Sequence, residues 1–254
     1  MRVVRVSECS ASLDILSGER GMMSHGEGHG LSWEDGNVPV SELFDDTFYS
    51  RHDGQAESAY VFIDGNGLPE RWADQPHFAV AELGFGTGLN FLETWRVWVK
   101  TRRPGQKLTF TSFERYPLGV DDMARALVSW RHLDDLVGVL LKVWSSNEPG
   151  AYWQMDAFTQ LRVVIGDAEA SVGCWDGMAD AWYLDGFSPA KNPEMWEAPL
   201  LRSVFEHTAP RGSFATYTAA GWVRRNLEAA GFDVHKWPGH GGKREMMLGQ
   251  RSAI

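Results

Sequence analysis

The chain contains little cysteine, no long apolar run and no internal repeat. Its two cysteines, Cys9 and Cys174, are far apart among 254 residues and form no CxxC or CxxH pair. This argues against a disulfide framework and against a cysteine-ligated metal. No apolar run reaches the length of about 18 residues that a membrane-spanning helix needs, and the N-terminus lacks the apolar core of a signal peptide. We therefore predict a cytoplasmic protein with no membrane association and no metal site.

Acidic residues outnumber basic residues, but not uniformly along the chain. The net charge is −10, yet the segment 202–254 holds eight Lys and Arg residues against four Asp and Glu residues, or +4, which leaves −14 for the preceding 201 residues. Counterion release depends on local charge, so this asymmetry is compatible with a phosphate-binding face on an acidic body. A solvated helix face gives the same count. The charge distribution alone therefore leaves a nucleic-acid partner open.

The sequence pattern divides the chain into three segments. Residues 1–30 are polar and glycine-containing without periodicity, which predicts a flexible leader. Residues 31–75 contain short strand-like pieces, and the DGNG run at 64–67 between two apolar stretches predicts a β-hairpin, so we expect a small β-rich prefix. Residues 76–254 alternate apolar runs with helix-like stretches. That alternation predicts a mostly parallel sheet with helices on both faces.

The end of the chain narrows the fold class. The last two predicted strands, FDVHKW and REMMLG, are joined only by the short PGHGGK. This connection is too short for a helical crossover, so the two strands should either pair antiparallel or be separated by one strand in a twisted hairpin. A parallel sheet that ends in an antiparallel strand is the arrangement of class I S-adenosylmethionine-dependent methyltransferases. We therefore predict an α/β, Rossmann-like methyltransferase fold with a seven-stranded sheet.

A glycine-rich loop lies in AELGFGTGLNF, residues 81–91. It follows an apolar strand and opens a helix, so Gly84, Gly86 and Gly88 let the backbone approach a ligand at the helix N-terminus. The glycine spacing is GxGxG, whereas dinucleotide sites read GxGxxG. A tight strand-to-helix turn without a ligand is the alternative interpretation.

Acidic residues follow or end three consecutive predicted strands. Glu82 precedes the glycine loop, and Glu114 ends the next strand, where an acid can accept hydrogen bonds from ribose hydroxyls or merely be solvated. Asp167 ends the third strand and either accepts the adenine amino group or caps the following helix. Such acids suit a cationic, adenosine-bearing sulfonium better than a pyrophosphate, which they would repel.

A fourth acid, Asp185, lies in ADAWYLDGFSPAKNPEMW, residues 179–196. It ends an apolar run and is followed by Gly186, Phe187 and two prolines, which exclude both a helix and a sheet ladder. Ligands of α/β proteins bind at the carboxyl ends of buried strands. A carboxylate at such a place can orient an amine and receive its proton. We predict that Asp185 is catalytic and that Phe187 packs against a base, with a turn-initiating acid as the alternative.

Long segments of the chain resemble one known family. AELGFGTGLNFL, TSFERYPL, WYLDGFSPAKNPEMW and GSFATYTAAGWVRRNLEAAGF, with PVSELFDDTFYS in the prefix, are similar to the methyltransferase portion of the MnmC family, over roughly residues 31–249. The resemblance implies S-adenosylmethionine as cofactor and tRNA as partner. It implies methylation of the primary amine of 5-aminomethyl-2-thiouridine at the wobble position, giving 5-methylaminomethyl-2-thiouridine. Bifunctional members carry a flavin-dependent oxidase as well. This chain ends at Ile254 without it, so we expect a separate oxidase or another source of the aminomethyl precursor.

The predicted site has three parts. Asp185 is the catalytic candidate. The candidate cofactor-binding residues are Glu82, Gly84, Phe85, Gly86, Gly88, Asn90, Glu114, Asp167 and Asp185. The candidate substrate-binding residues are Phe187, Lys191 and Asn192 near the base, and Arg224, Arg225, Lys243 and Arg244 as phosphate contacts.

Two other function classes compete with tRNA modification. A methyltransferase for a small-molecule amine is favoured by the acidic total charge. A non-catalytic binding module is disfavoured because Asp185 and the glycine loop are both present. A dehydrogenase is weaker still, since no hydride-relay pair and no pyrophosphate fingerprint occur.

Overall fold

A computed structural model describes residues 30–35, 37–51, 53–146 and 150–252. The predicted flexible leader, residues 1–30, lies outside the described residues apart from Gly30. The first described elements form a small antiparallel sheet of three strands, β1 (Leu31–Glu34), β2 (Val38–Ser41) and β3 (Asp46–Thr47). The division into a prefix of residues 31–75 and a main unit of residues 76–254 stays a prediction.

An eight-stranded sheet forms the centre of the molecule. Its strands are β4 (His77–Leu83), β5 (Lys107–Glu114), β6 (Tyr152–Asp156), β7 (Thr159–Ile165), β8 (Ala179–Leu184), β9 (Thr208–Thr216), β10 (Asp233–Pro238) and β11 (Glu245–Gln250). Their order is β10-β11-β9-β8-β4-β5-β7-β6. Neighbours pair in parallel except at β6 and β11, which are antiparallel to the strands beside them. The mostly parallel α/β fold and the antiparallel C-terminal pair are therefore confirmed.

The predicted number of strands is wrong by one. The additional strand is β6, which turns back through residues 157 and 158 to pair antiparallel with β7 at the edge of the sheet. Within β6 the side chains of Trp153 and Met155 are buried and alternate with exposed Tyr152 and Gln154. This is the period of a strand with one covered face.

Seven α-helices are described, together with shorter helical turns. They are α1 (Gly54–Ser58), α2 (Leu89–Thr101), α3 (Val120–Leu127), α4 (Asp134–Ser146), α5 (Ala168–Gly173), α6 (Ala198–Glu206) and α7 (Gly221–Ala230). The shorter turns are the π-helix Ala59–Ile63 and the 3₁₀ turns Asp64–Asn66, Glu70–Trp72, Arg131–Leu133 and Pro193–Trp196. Among the described residues, no helix has the length and apolar content needed to cross a bilayer.

The β-hairpin predicted at residues 64–67 is wrong. The chain passes from the π-helix directly into the 3₁₀ turn and leaves it through Gly67, which has a φ of 65°. Val61, Phe62 and Ile63 are all buried, and three consecutive buried side chains suit a helix packed on the sheet better than a strand with alternating faces. The side chain of Asn66 donates hydrogen bonds to the carbonyl oxygens of Phe62 and Trp182, at 3.0 and 3.3 Å, and fixes the turn to β8.

The strand order brings the carboxyl ends of β4, β5, β7 and β8 to the same end of the sheet. β4 is paired with β5 on one side and with β8 on the other, and Leu83 lies opposite both Phe113 and Leu184. Beyond β4 the chain moves first to one side of the sheet and later to the other, which makes β4 a topological switch point. Ligands of open α/β sheets bind in the crevice at such a point, outside the carboxyl ends of the strands.

Candidate active site

A cavity of about 700 Å³ opens at this switch point. The loops after β4, β5, β7 and β8 form one part of its wall, and the segment 44–62 of the prefix forms another part. The cavity is large enough for a nucleoside-sized ligand. Of the predicted site residues, those that line it are Gly84, Phe85, Gly86, Asn90, Glu114, Asp167, Asp185, Phe187, Asn192 and Lys243.

The glycine loop adopts a backbone that side chains other than glycine would disturb. Gly84 has a φ of 85°, and a Cβ atom there would come within 2.3 Å of the carbonyl oxygen of Asp185. Gly86 has a φ of 53° and donates its backbone N–H to Glu114 Oε2 at 3.0 Å. Gly88, with a φ of 81°, precedes the first residue of α2 but does not line the cavity itself. The loop therefore lies close against the loop after β8 at the N-terminus of a helix, where backbone N–H groups favour polar and anionic groups of a ligand.

Two of the predicted cofactor acids are engaged by the protein but still border the cavity. Glu114 accepts hydrogen bonds from the backbone N–H groups of Gly86 and Tyr116, at 3.0 and 2.7 Å. Asp167 caps α5 by accepting the N–H of Ala170 at 3.1 Å. Both acids line the cavity, so the cap and ligand roles of Asp167 are compatible. A carboxylate has about four acceptor positions, and one bond to the backbone leaves the others for a ligand.

Glu82 is placed differently from the sequence-based prediction. Its side chain is fully buried and does not line the cavity. It accepts hydrogen bonds from Asn90 Nδ2 at 2.9 Å and from Ser112 Oγ at 2.7 Å. Burial raises the pKa of Glu82 well above its ordinary value, partly opposed by these two hydrogen bonds. Glu82 therefore acts behind the site, by holding Asn90.

Asn90 connects this buried acid to Asp185. The Nδ2 group of Asn90 also donates to Asp185 Oδ2 at 2.7 Å. Asp185 is partly buried, and the exposed part of its residue borders the cavity. Burial raises the pKa of Asp185 to about 7, the hydrogen bond from Asn90 lowers it, the charge of Glu57 raises it and that of Lys243 lowers it. A carboxyl with such a pKa exchanges protons near neutral pH, as a general base must.

The prefix contributes aromatic rings and acids to the cavity that the sequence-based site prediction missed. Phe187 stacks on Phe44 with ring centroids 4.8 Å apart and meets the edge of Phe48 at 5.2 Å. Asp46 accepts the backbone N–H of Ser188 at 2.8 Å and thereby fastens the prefix to the loop after β8. The signal for these residues was the PVSELFDDTFYS segment, which carried the family resemblance but no assigned role.

The predicted substrate-binding residues fall into two groups. Phe187, Asn192 and Lys243 line the cavity, whereas Lys191 lies outside it and pairs with the Asp45 carboxylate at 3.1 Å. The remaining three, Arg224, Arg225 and Arg244, also lie outside the cavity wall. Arg224 Nε is 3.7 Å from Glu228 Oε1, and Arg225 and Arg244 are exposed. The structure therefore does not bring the four predicted phosphate contacts together in the cavity.

The residues present fit S-adenosylmethionine. The cradle at Gly84 excludes a Cβ atom, and the cavity wall carries Glu114, Asp167 and Asp185, which favour a sulfonium cation. Gly84, Gly86, Glu114 and Asp167 would hold this cofactor. Among the described residues, no group of three or more His, Cys, Asp or Glu side chains is arranged to hold a metal ion.

Comparisons with known proteins agree with this chemistry. Residues 131–252 match the profile of an S-adenosyl-L-methionine-dependent methyltransferase family. The chain is 43% identical over 228 residues to the tRNA 5-methylaminomethyl-2-thiouridine biosynthesis bifunctional protein MnmC of Caulobacter vibrioides, covering 88% of this chain and 38% of that protein. The MnmC protein of Methylobacillus flagellatus is 43% identical over 226 residues, covering 87% of this chain and 34% of that protein. The chain thus spans well under half the length of these relatives.

The fold comparison points the same way. The crystal structure of MNMC2 from Aquifex aeolicus superposes with a TM-score of 0.70 at 22% identity, covering 90% of this chain and 72% of that one. This likeness agrees with the fold, and the profile match shows S-adenosylmethionine as the cofactor. The chain therefore belongs to the S-adenosylmethionine-dependent methyltransferases and is a homologue of the N-terminal part of the MnmC proteins.

Proposed function

We propose that this protein methylates the primary amine of 5-aminomethyl-2-thiouridine at the wobble position of tRNA, giving 5-methylaminomethyl-2-thiouridine. The observation that carries the proposal is the position of Asp185, a carboxyl with a pKa of about 7 that borders the cavity directly beside the glycine loop. The similarity to MnmC proteins, whose name refers to tRNA 5-methylaminomethyl-2-thiouridine biosynthesis, supports the substrate. Because the proposed substrate is tRNA, the proposed location is the cytoplasm.

Asp185 meets the main chemical requirement of this reaction. A primary alkylamine is mostly protonated at neutral pH, and only its neutral form has the lone pair that attacks carbon. The carboxylate of Asp185 receives a proton from the ammonium group, and the amine nitrogen then holds the lone pair. Asn90 keeps one carboxylate oxygen in place through the 2.7 Å hydrogen bond. When bound, S-adenosylmethionine supplies a methyl group on a sulfonium, whose C–S bonding pair returns to sulfur on transfer.

The tuning of Asp185 decides how well it performs this task. A carboxyl of ordinary pKa, near 4, would be a poor base for an ammonium group. The partly buried carboxyl at about 7 is closer to the pKa of the amine, so the proton transfer is less unfavourable. Positioned acid-base help of this kind contributes roughly 10²–10⁴-fold to a rate. We therefore expect methyl transfer to increase with pH as Asp185 ionises.

The aromatic cluster gives the cavity a place for the base. Phe44, Phe48 and Phe187 border the cavity, and the rings of Phe44 and Phe48 each contact the ring of Phe187. Single-stranded RNA is commonly recognised by bases that leave the stack and pack on aromatic side chains. A wobble nucleotide lies in the anticodon loop, where unstacking is less costly than in a helix. Phe187 follows Asp185 by two residues, so a base packed on it would place its substituent close to the carboxylate.

The anticodon arm requires contacts outside the cavity. Arg225 and Arg244 are exposed, and with Arg224 they are the proposed phosphate contacts. Neutralising one phosphate contact should reduce the slope of log affinity against log salt concentration by about 0.7–0.9. The proposal also requires a preceding reaction that produces the aminomethyl group, from a separate oxidase or another source.

A comparison of methyl acceptors tests the proposal. The purified protein is incubated with radiolabelled S-adenosylmethionine and one of three acceptors: tRNA with wobble 5-aminomethyl-2-thiouridine, the same tRNA with unsubstituted 2-thiouridine, or n-butylamine. We expect label only with the aminomethyl tRNA, in the wobble nucleoside. Equal labelling of the two tRNAs would contradict the proposed acceptor group. Labelling of butylamine at a rate equal to that of tRNA would instead support the small-molecule alternative, which the net charge of −10 favours.

A further inference from the structure

A lysine side chain lies in the cavity wall in an environment suited to an alkylammonium ion. Lys243 Nζ is 2.6 Å from Glu57 Oε1 and lies over the ring of Tyr217, 4.1 Å from the centroid. A carboxylate together with an aromatic face is a well-established combination for binding an organic cation. All three residues line the cavity that contains Asp185.

The two groups that contact the lysine are held firmly. Tyr217 donates its hydroxyl hydrogen to the carbonyl oxygen of Gly186 at 2.7 Å, which fixes its ring beside the residue that follows Asp185. Glu57 belongs to α1, whose N-terminus is capped by Asp53 through a 2.9 Å bond from the N–H of Ala56. The side chain of Glu57 is only 14% exposed. The carboxylate and the ring therefore belong to the wall of the cavity.

The lysine itself is held less firmly. Its side chain is 42% exposed, and it follows Gly241 and Gly242, which have φ angles of 60° and 89°. The lysine end of this ion pair is exposed, so its ammonium exchanges the carboxylate for water when it leaves, and the mostly buried Glu57 carboxylate is then left for another cation. A substrate carrying its own ammonium would restore the same contacts.

The helix that carries Glu57 offers a further polar group. Ser58 is 2% exposed and lines the same cavity. Within the described part of the chain, its hydroxyl oxygen is buried and has no hydrogen-bond partner. Buried hydroxyls in native proteins are almost always hydrogen-bonded. An ammonium group has three N–H donors, and a ligand at this wall would supply the donor that Ser58 lacks.

We propose that Glu57 and the face of Tyr217 form the subsite that binds the substrate's alkylammonium group before it is deprotonated, and that the Lys243 side chain occupies this subsite when substrate is absent. This inference rests on the proposed function, because it assigns a binding place to the aminomethyl group. Glu57 thereby selects a cationic substrate over the uncharged nucleoside, and Lys243 must swing out as the substrate enters. Lys243 is then a placeholder in the substrate-free cavity, and its role as a phosphate contact stays a prediction for the substrate-bound state.

A binding experiment without tRNA tests the subsite directly. Lys243→Ala removes the placeholder, and n-butylammonium chloride serves as the probe, with n-butanol and sodium chloride as controls. We expect butylammonium to bind Lys243→Ala, seen by calorimetry or as an increase in Tm, and to bind the wild type and the double variant Lys243→Ala/Glu57→Gln at least about tenfold more weakly. Equal binding to the single and double variants, or no binding to Lys243→Ala, would overturn the inference. Circular dichroism verifies that each variant is folded.

A kinetic experiment tests the same subsite with the tRNA substrate. Glu57→Gln should increase KM for the aminomethyl tRNA about tenfold or more, with the affinity for S-adenosylmethionine unchanged. Glu245→Gln is the matched control, since Glu245 forms a 2.6 Å ion pair with Lys236 on the exposed β10–β11 hairpin and does not line the cavity. An unchanged KM for Glu57→Gln would overturn the inference. If the wild type fails to methylate tRNA at all, the proposed function fails, while the butylammonium experiment still decides the subsite.

Discussion

Replacing Asp185 by Asn should slow methyl transfer by at least about 10²-fold and, at the same time, make the protein more stable at alkaline pH. Asparagine keeps an amide oxygen that accepts the hydrogen bond from Asn90, so the geometry around α2 is preserved. It has no charge to desolvate. The ionised Asp185 therefore lowers the stability of the native state while it makes the reaction possible, as is common for buried catalytic groups.

The expected difference in the free energy of unfolding follows from the pKa of Asp185. Burial raises this pKa from an ordinary value of 3.8 to about 7. Each pKa unit corresponds to about 1.4 kcal/mol, so the ionised carboxyl destabilises the native state by at most about 4–5 kcal/mol. Because the residue borders the water of the cavity, we expect 1–3 kcal/mol, on the order of what mutations of single buried groups produce. The cost is absent below about pH 4, where Asp185 is protonated in both states, and is complete above about pH 7.

The assay is urea unfolding of the wild type and of Asp185→Asn at several pH values between 5 and 8.5. The free energy of unfolding of Asp185→Asn should exceed that of the wild type at pH 8, and the difference should shrink towards acidic pH. Methyl transfer by Asp185→Asn should fall by at least about 10²-fold with S-adenosylmethionine binding retained. A variant that is less stable than the wild type at pH 8, or a difference that does not vary with pH, would refute the reasoning.

Three further predictions concern the glycine loop, Asn90 and Arg71. Gly84→Ala should abolish S-adenosylmethionine binding, because its Cβ would come within 2.3 Å of the Asp185 carbonyl oxygen. The control is Gly105→Ala, at the same φ of 85° with no atom within 4 Å of the added Cβ, which should lower the free energy of unfolding by only about 1 kcal/mol. Equal effects of the two variants on unfolding and on cofactor binding would contradict the role of Gly84 in the cofactor site. Asn90→Ala should shift the apparent pKa in the pH profile of kcat/KM upward, since its hydrogen bond lowers the pKa of Asp185, and an unchanged or lower pKa would argue against this network. Arg71→Ala should lower the free energy of unfolding in urea by about 3 kcal/mol, because Arg71 donates hydrogen bonds to the carbonyl oxygens of Asn66, Asp180 and Arg211. A decrease below about 0.5 kcal/mol, the level of a neutral surface change, would show that these bonds contribute nothing.

The acids at the strand ends could be predicted from the sequence because their positions follow from local pattern and topology. Glu114, Asp167 and Asp185 each end or follow an apolar run, and parallel strands bring their carboxyl ends to one edge of the sheet. The GxGxG spacing identified the loop that lies against Asp185. These residues needed no knowledge of long-range packing beyond the order of strands and helices.

The contribution of the prefix could not be predicted in the same way. The bond from the Ser188 N–H to Asp46 joins residues 142 positions apart, and the ion pair of Lys243 with Glu57 joins residues 186 positions apart. No local periodicity encodes such contacts. The error at residues 64–67 has the same origin, since DGNG between apolar runs is a genuine turn signal that packing on the sheet converted into a helical turn.

Three other residues show the limits of local pattern and charge as evidence. Glu82 stands two residues before Gly84, yet its side chain is fully buried behind the cavity wall, where it accepts a hydrogen bond from Asn90. Arg224 and Arg225 were selected by charge alone, and they lie on α7 outside the cavity wall. Charge counts identify a surface but not its position relative to a site.

The most direct test of the account is a crystal structure with an amine-bearing S-adenosylmethionine analogue, sinefungin. The account predicts that the analogue lies in the cavity between the glycine loop and the carboxylate of Asp185, with its amine within hydrogen-bonding reach of that carboxylate. An analogue bound elsewhere, or bound in the cavity with Asp185 turned away from the amine, would contradict the assignment of Asp185 as the group that receives the proton.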